Sequence, residues 1–290
     1  MTLPVLFGAN IDPTWQDPHQ PRHLARSADE SGLDLVTVQD HPYQRAFYDT
    51  WTLISYLAAT TQRVTIVPTV ANLPLRPPAV LAKSAASLDI LSGGRVQLGL
   101  GAGAFWDAIA AMGGPRRDKK EAVDALDEAI EVIRLMWSGQ RSVRFDGSHY
   151  RLSGVHPGPA PSPALGIWLG AYGPRTIRLT GTKADGWMPS LGFLGLDRLG
   201  EAVARLHAAA EQAGRDPHAL RKVYNLNGII GSESPEPFQG SIRQWTDQLV
   251  DVVQRFGMNA FVYWPNDDHA RQLRIFAEQV VPEVRQAITG

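Results

Sequence analysis

Eight short β-type apolar runs alternate with eight longer helix-type segments along this 290-residue chain, and that rhythm constrains the fold more than any other feature. The runs are Leu3 to Asn10, Leu33 to Val38, Val64 to Val70, Arg95 to Leu100, Gly166 to Leu169, Asp185 to Pro189, Lys222 to Ile230 and Met258 to Trp264. Helix-type segments fall at 20–32, 49–62, 77–91, 118–138, 174–183, 196–214, 241–256 and 268–288. An open doubly wound sheet usually needs only about five or six strands, so eight units favour closure into an α/β (β/α)8 TIM barrel. No linker breaks the series, and one domain spanning 1–290 is expected.

Local punctuation agrees. Asp118 can cap the fourth helix, whose Val123, Leu126, Ile130, Ile133 and Trp137 recur every three or four residues before Gly139. Ser241 opens the seventh, with Ile242, Trp245, Leu249, Val252 and Val253 on its inner side and Gly257 at its end. The one long irregular segment, Gly139 to Leu165, carries Pro157, Pro159, Pro161 and Pro163. It reads as an insertion between helix four and strand five at the barrel mouth, with a short hairpin around Asp146 and Gly147.

Charge and composition remove several function classes. With 28 basic and 29 acidic residues and no block of like charge, nothing draws the chain to nucleic acid or an anionic membrane. The absence of cysteine excludes disulfides, thiolate zinc sites and cysteine nucleophiles. The N-terminal MTLPVLFGAN lacks a basic region and a long apolar run, so a cytoplasmic protein is expected.

In a barrel the chemistry collects where strands end at the C-terminal face. Those positions hold Asn10 and Asp12, Asp40 and His41, Thr69 to Asn72, Gly101 to Gly103, Gly170 to Pro174, Ser190, Gly228 to Gly231, and Trp264 to Asp268. None of the five lysines ends a strand, which argues against a Schiff-base aldolase. No convergent set of metal ligands and no pair of facing carboxylates emerges, so no metal is expected. Glycines with Phe105, Trp106 and Trp264 suit a large flat ligand instead. GAYGPR, at Gly170 to Arg175, follows strand five, and the helix start at Pro174 with Arg175 beside it suits a phosphate. His41 can donate to a cofactor ring or substrate with Asp40 adjacent, or serve as an ordinary structural histidine. LGLGAGAFW (98–106) also fits a loose dinucleotide-binding pattern. Three βα units precede it, however, and no second strand follows in the required window, which favours strand four of a barrel.

The sequence resembles the bacterial luciferase-like monooxygenase family, including its deazaflavin-using branch, over nearly its full length. The resemblance is carried by NLPLRPPAVLAKSAASLDILSGGRVQLGLGAG (72–103), WSG (137–139), FDGSHYRL (145–152), and IWLGAYGPR with ADGWMPS (167–190). It implies a barrel with an insertion at its mouth, usually a homodimer, that binds coenzyme F420 or, alternatively, FMN. By the same resemblance Asp40 and His41 contact the cofactor and carry the catalysis. Thr69 and Val70 form a non-proline cis peptide behind the ring, with Asn72 beside them. Gly101 and Gly103 let the ring approach, while Gly170, Ala171, Tyr172, Gly173 and Pro174, with Arg175, hold the phosphate.

In one respect the chain departs from some deazaflavin-using relatives. Where they carry a glutamate proton donor, this chain has Ala104, then Phe105 and Trp106. A small apolar organic substrate is therefore expected rather than a sugar phosphate, with hydride transfer as the reaction. The rival readings are an FMN-dependent monooxygenase using O2 and a flavin- or deazaflavin-binding protein without turnover.

Overall fold

In the computed structural model, which describes residues 3–289, eight parallel strands form a closed ring. The ends of the expected 1–290 span, residues 1, 2 and 290, lie outside the described residues. The strands are β1 (Leu6–Asn10), β2 (Leu35–Val38), β3 (Thr65–Pro68), β4 (Leu98–Gly101), β5 (Ile167–Leu169), β6 (Gly186–Trp187), β7 (Arg221–Ile230) and β8 (Ala260–Pro265). β1 pairs with β2 on one side and β8 on the other, and β7 lies next to β8. β3 and β4 complete the ring through a parallel bridge at Ile66 and Val96 and a hydrogen bond from Gln97 N–H to the Ile66 carbonyl (3.1 Å).

The helices are α1 (Gln20–Glu30), α2 (Thr50–Thr60), α3 (Pro78–Ser92), α4 (Lys119–Trp137), α5 (Pro174–Lys183), α6 (Leu196–Gln212), α7 (Ile242–Phe256) and α8, built from His269–Ile275, a π-type turn Phe276–Val280 and Val281–Thr289. Asp118 with Glu121 and Ser241 with Gln244 both make capping boxes, each satisfying two N–H groups that a helix start leaves open. The buried face of α4 differs from the stripe of large residues. Ala122, Ala125 and Ala129 lie on it with Leu126, Ile130 and Ile133, while Val123 and Trp137 are only half-buried. Alanines permit close approach to the neighbouring elements, and a pattern built on large side chains does not register them.

The lumen is filled by Leu35, Val67, Trp168, Met188, Val223, Ala260 and Val262. Leu6 on β1, Val70 just beyond β3 and Trp264 on β8 pack against this cluster. The barrel is thus a packed core, and chemistry is confined to the rim. The insertion holds an antiparallel hairpin, Val143–Asp146 with Arg151–Val155. Glu128 on α4 clamps its turn by accepting N–H bonds from Ser148 (2.8 Å), His149 (2.8 Å) and Tyr150 (3.0 Å). A further short helix, Trp106–Ala111, follows β4 and has no counterpart in the sequence pattern.

Candidate functional site

The rim is organised by the chain leaving β3. The Thr69–Val70 peptide is cis, and Ala71–Asn72 then pairs with Leu100 and Gly101 of β4. Three glycines make room for this bulge. A Cβ on Gly99 would lie 1.9 Å from the Pro68 carbonyl oxygen, and one on Gly101 would lie 2.6 Å from a Val70 methyl. At Gly170 it would meet both Val70 methyls, at 3.2 and 3.3 Å. The space beside Gly101 and Gly170 is therefore filled by Val70, and it is Val70 that these glycines admit most closely. Gly103 has a positive φ of 104°, and a Cβ there would strike Pro74 and Trp106. Gly170 N–H also bonds the Leu100 carbonyl (3.1 Å), so the turn that begins at Gly170 stands on the same rim as the bulge.

Asp40 and His41 leave β2 side by side but face different partners. The Asp40 carboxylate is buried and accepts the Asn72 N–H (2.8 Å) and a two-pronged contact from Arg76, Nε at 2.6 Å and Nη2 at 2.8 Å. Arg76 also reaches Asp49 (2.6 Å), the residue that caps α2. Burial alone would lower the Arg76 pKa, but the two carboxylates outweigh it and raise it. Asp40 thus ties the β2 end to the bulge and presents no free oxygen to the mouth. His41 Nδ1 lies 2.7 Å from the Tyr43 hydroxyl, and its ring meets Phe105 edge-on at 5.6 Å. Burial holds the His41 pKa below its ordinary value, although Asp40 pulls the other way. Burial thus favours the neutral ring.

On the opposite side Trp264 Nε1 donates to Asn225 Oδ1 (3.3 Å), Asn225 Nδ2 to Ser190 Oγ (3.3 Å), and the Tyr172 hydroxyl to the same Ser190 Oγ (3.2 Å). Tyr172 also packs against Phe193 at 5.3 Å. Ala171 is buried, its carbonyl taken by Trp187 Nε1 (2.8 Å). Gly173 caps α5 without a side-chain hydrogen bond, and Pro174 occupies the first turn. Arg175 is exposed and pairs with Asp124 of α4 (2.8 Å). Beyond β1, Asp12 accepts from Asn10 (3.1 Å) and Gln39 (2.9 Å) and pairs with His269 (3.2 Å), whose pKa that bond raises.

The rim brings His41, Thr69, Val70, Asn72, Gly101 and Gly170 together and turns the Asp40 carboxylate inward. The sequence reading did not single out Arg76, Tyr43, Gly99 or Asn225. Only Gly99, inside LGLGAG, carried a sequence signal. The residues present fit a flat heterocycle with an anionic tail. Asn72 is buried beside the bulge and its Oδ1 has no hydrogen-bond partner, an acceptor available to a ring N–H. The α5 start, uncapped by any side chain, offers N–H groups to a phosphate. No cluster of three or more potential metal ligands occurs among the described residues.

Comparison with known proteins adds an independent line. The family described as "Luciferase-like monooxygenase" matches residues 2–278. An F420-dependent glucose-6-phosphate dehydrogenase of Amycolatopsis mediterranei is 34% identical over 317 residues, covering 91% of this chain and 95% of that protein. An F420-dependent hydroxymycolic acid dehydrogenase of Mycobacterium tuberculosis is 28% identical over 306 residues, covering 90% and 83%. Among solved structures, an F420-dependent secondary alcohol dehydrogenase superposes with a TM-score of 0.82 at 19% identity, covering 97% of this chain and 99% of that one.

Proposed function

This chain belongs to the luciferase-like monooxygenase family, and from that premise we propose that it is an F420-dependent oxidoreductase acting on a neutral, largely apolar alcohol or carbonyl compound. The observation that carries the reading is the shared rim: the cis Thr69–Val70 bulge with the unpartnered Asn72 Oδ1 at its edge, His41 on one side and the Gly170 turn on the other. Bound there, coenzyme F420 supplies two-electron hydride chemistry, whereas FMN would also allow reaction with O2. Val70 and Trp264 would form the floor beneath the cofactor, Asn72 Oδ1 would accept an N–H from its ring, and the backbone N–H groups at the start of α5 would receive its phosphate. Phe105, itself exposed, would add an aromatic wall beside His41, which it meets edge-on.

The substrate class follows from the charge inventory. Asp40 and Asp49 are bound to Arg76, Asp12 to His269, Arg175 to Asp124, and Arg198 donates to the Phe193 carbonyl (2.9 Å). The remaining wall groups, Tyr43, Phe105, Tyr172, Phe193, Asn225 and Trp264, are neutral, and no lysine or arginine among those named stands ready for a substrate phosphate. A homodimer is part of the same reading. α2 has no charged residue, and neighbouring α3 leaves Val80, Ile90 and Leu91 exposed, an apolar face suited to a second copy.

Fluorescence titration with F420 and FMN, each oxidised and reduced, is the first test, followed by turnover with secondary alcohols and with glucose 6-phosphate. F420 binding and oxidation of the apolar alcohol are expected. Binding of neither cofactor refutes the oxidoreductase, and efficient turnover of glucose 6-phosphate refutes the apolar substrate.

A further inference from the structure

We infer that Tyr43 and His41 form a neutral two-residue proton wire from the mouth to solvent, which takes over the work of a carboxylic acid at position 104. The inference rests on the proposed oxidoreductase for its use, but the wire itself is a property of the chain's own residues.

The geometry is a single short contact. His41 Nδ1 and the Tyr43 oxygen are 2.7 Å apart, and no other hydrogen bond occupies either ring nitrogen or the hydroxyl among the described residues. A phenol is a far stronger acid than a neutral imidazole N–H, and an imidazole lone pair is the better base, so the hydroxyl donates and Nδ1 accepts. The remaining proton of the neutral ring is then on Nε2, the nitrogen that Tyr43 does not touch. Tyr43 is half-buried, with its ring against Phe105 at 6.0 Å, so part of the residue remains in contact with water. Both groups stay neutral. Burial lowers the His41 pKa and raises that of Tyr43 to about 12, and the one charged group acting on either is Asp40, whose carboxylate Arg76 holds.

The proton balance closes without a carboxylic acid. In reduction of a carbonyl compound, the carbon takes a hydride from the reduced deazaflavin and the C=O π bond breaks onto oxygen. That oxygen takes the Nε2 proton, Nδ1 takes the Tyr43 proton, and water returns one to the phenol oxygen, the hydroxide so formed being neutralised by the proton that the reduced cofactor would give up along with its hydride. The ring finishes as the other neutral tautomer, from which alcohol oxidation runs in reverse, and proton exchange with water restores the starting tautomer before another reduction. Ala104 leaves no acid at its own position, and Phe105, the next residue, packs against both rings of the pair.

The test is Tyr43→Phe, which keeps the ring and its packing and removes the hydroxyl. In the protein without cofactor, 15N NMR of His41 should show Nδ1 accepting a hydrogen bond, with that signal moving toward the position of a free imidazole nitrogen in Y43F. An unchanged signal overturns the inference whether or not any cofactor binds. In the enzyme supplied with F420, kcat should fall about 100-fold, the lower end of what a positioned proton transfer contributes. KM should stay within about threefold, as expected when an interaction specific to the transition state is lost. The solvent-isotope proton inventory should change from curved, with two protons in flight, to linear. A fall of less than about threefold in kcat with an unchanged inventory refutes the wire. Failure of both cofactors to bind refutes the parent function but leaves the NMR result to decide the hydrogen bond. Circular dichroism and F420 affinity equal to those of the native protein separate these outcomes from misfolding.

Discussion

Replacing Arg76 by alanine should destabilise the protein by about 3–5 kcal/mol, because it strips a buried carboxylate of its counter-ion. The side chain of Asp40 is 0% exposed and that of Arg76 17%, which separates this pair from surface ion pairs worth about 0–1 kcal/mol. A count of bonds gives the same scale. Asp40 loses two of its three donors, each a charge-assisted hydrogen bond worth about 1.5–3 kcal/mol, and keeps only the Asn72 N–H. Asp49 loses its contact as well, but it is exposed and still caps α2 through the Thr52 N–H (2.8 Å). Asp40→Asn should cost less, about 1–3 kcal/mol, since an amide oxygen can keep the Asn72 N–H while Arg76 retains Asp49. In the double variant Arg76→Ala with Asp40→Asn the buried charge and its partner leave together. Its cost should fall below the sum of the singles by about 1–3 kcal/mol. Guanidinium unfolding of the four proteins at pH 7 measures the cycle. An Arg76→Ala loss below about 1 kcal/mol, or strict additivity, would show that Asp40 is not sustained by this pair and would remove the link between the β2 end and the bulge.

Three other expectations follow from local geometry. Gly99→Ala places a Cβ 1.9 Å from the Pro68 carbonyl, a backbone atom that cannot swing away, and should abolish soluble expression. Gly101→Ala meets only a Val70 methyl at 2.6 Å and should cost about 1–3 kcal/mol, and a reversed ranking in expression and melting trials would refute the account of the bulge. His207 Nε2 lies 3.1 Å from the buried Lys222, with His218 and Glu211 the other titratable neighbours, and burial followed by the Lys222 charge holds its pKa below the ordinary 6.5. The unfolded chain therefore binds this proton first, so stability should decline as pH falls below about 6.5 and level off below the folded pKa; equal pH slopes for the native protein and His207→Gln would sink this assignment. Leu91→Glu on the exposed face of α3 should convert the proposed dimer to a monomer in light scattering, and a native protein already monomeric at micromolar concentration would end that part of the reading.

The barrel is legible in the sequence because its strands are buried on both faces, so β-branched and apolar runs stand out between amphipathic helices. The sixth run shows the limit. Asp185 to Pro189 reads as five strand residues, and only Gly186 and Trp187 pair fully as β6, while Asp185 and Met188 each give one N–H to the neighbouring strand, at the Ile167 and Leu169 carbonyls (both 2.8 Å). At the rim, the strand-end rule marks Asp40, His41 and the glycines, but it cannot supply partners that come from elsewhere in the chain. Arg76 sits 36 residues from Asp40, and nothing near LPLRPP says which carboxylate it serves. Composition likewise suggests that glycines beside a mouth await a ligand. At Gly101 and Gly170 the first claimant on that space is Val70, brought there by a bulge that leaves no mark in the sequence.

The neutral rim and the missing acid at position 104 are consequences of one arrangement. The Asp40, Arg76 and Asp49 group contains two carboxylates and one guanidinium, so it leaves a net negative charge beside His41. At an effective dielectric of about 20, two unit charges about 8 Å apart interact by about 2 kcal/mol. A further carboxylate in the mouth would feel that repulsion, and a phosphate dianion on a substrate would feel roughly twice as much. A charged substrate would need cations aimed into the mouth to offset such a cost, whereas here Arg76, Arg175 and Arg198 are committed to Asp40 and Asp49, to Asp124 and to the Phe193 carbonyl. Once those cations are committed, a proton route through neutral groups and a substrate without charge impose the least electrostatic cost on the site. The converse is testable: Ala104→Glu should raise the His41 pKa measured by NMR through the added negative charge, and an unchanged His41 titration would show that position 104 does not face this pair.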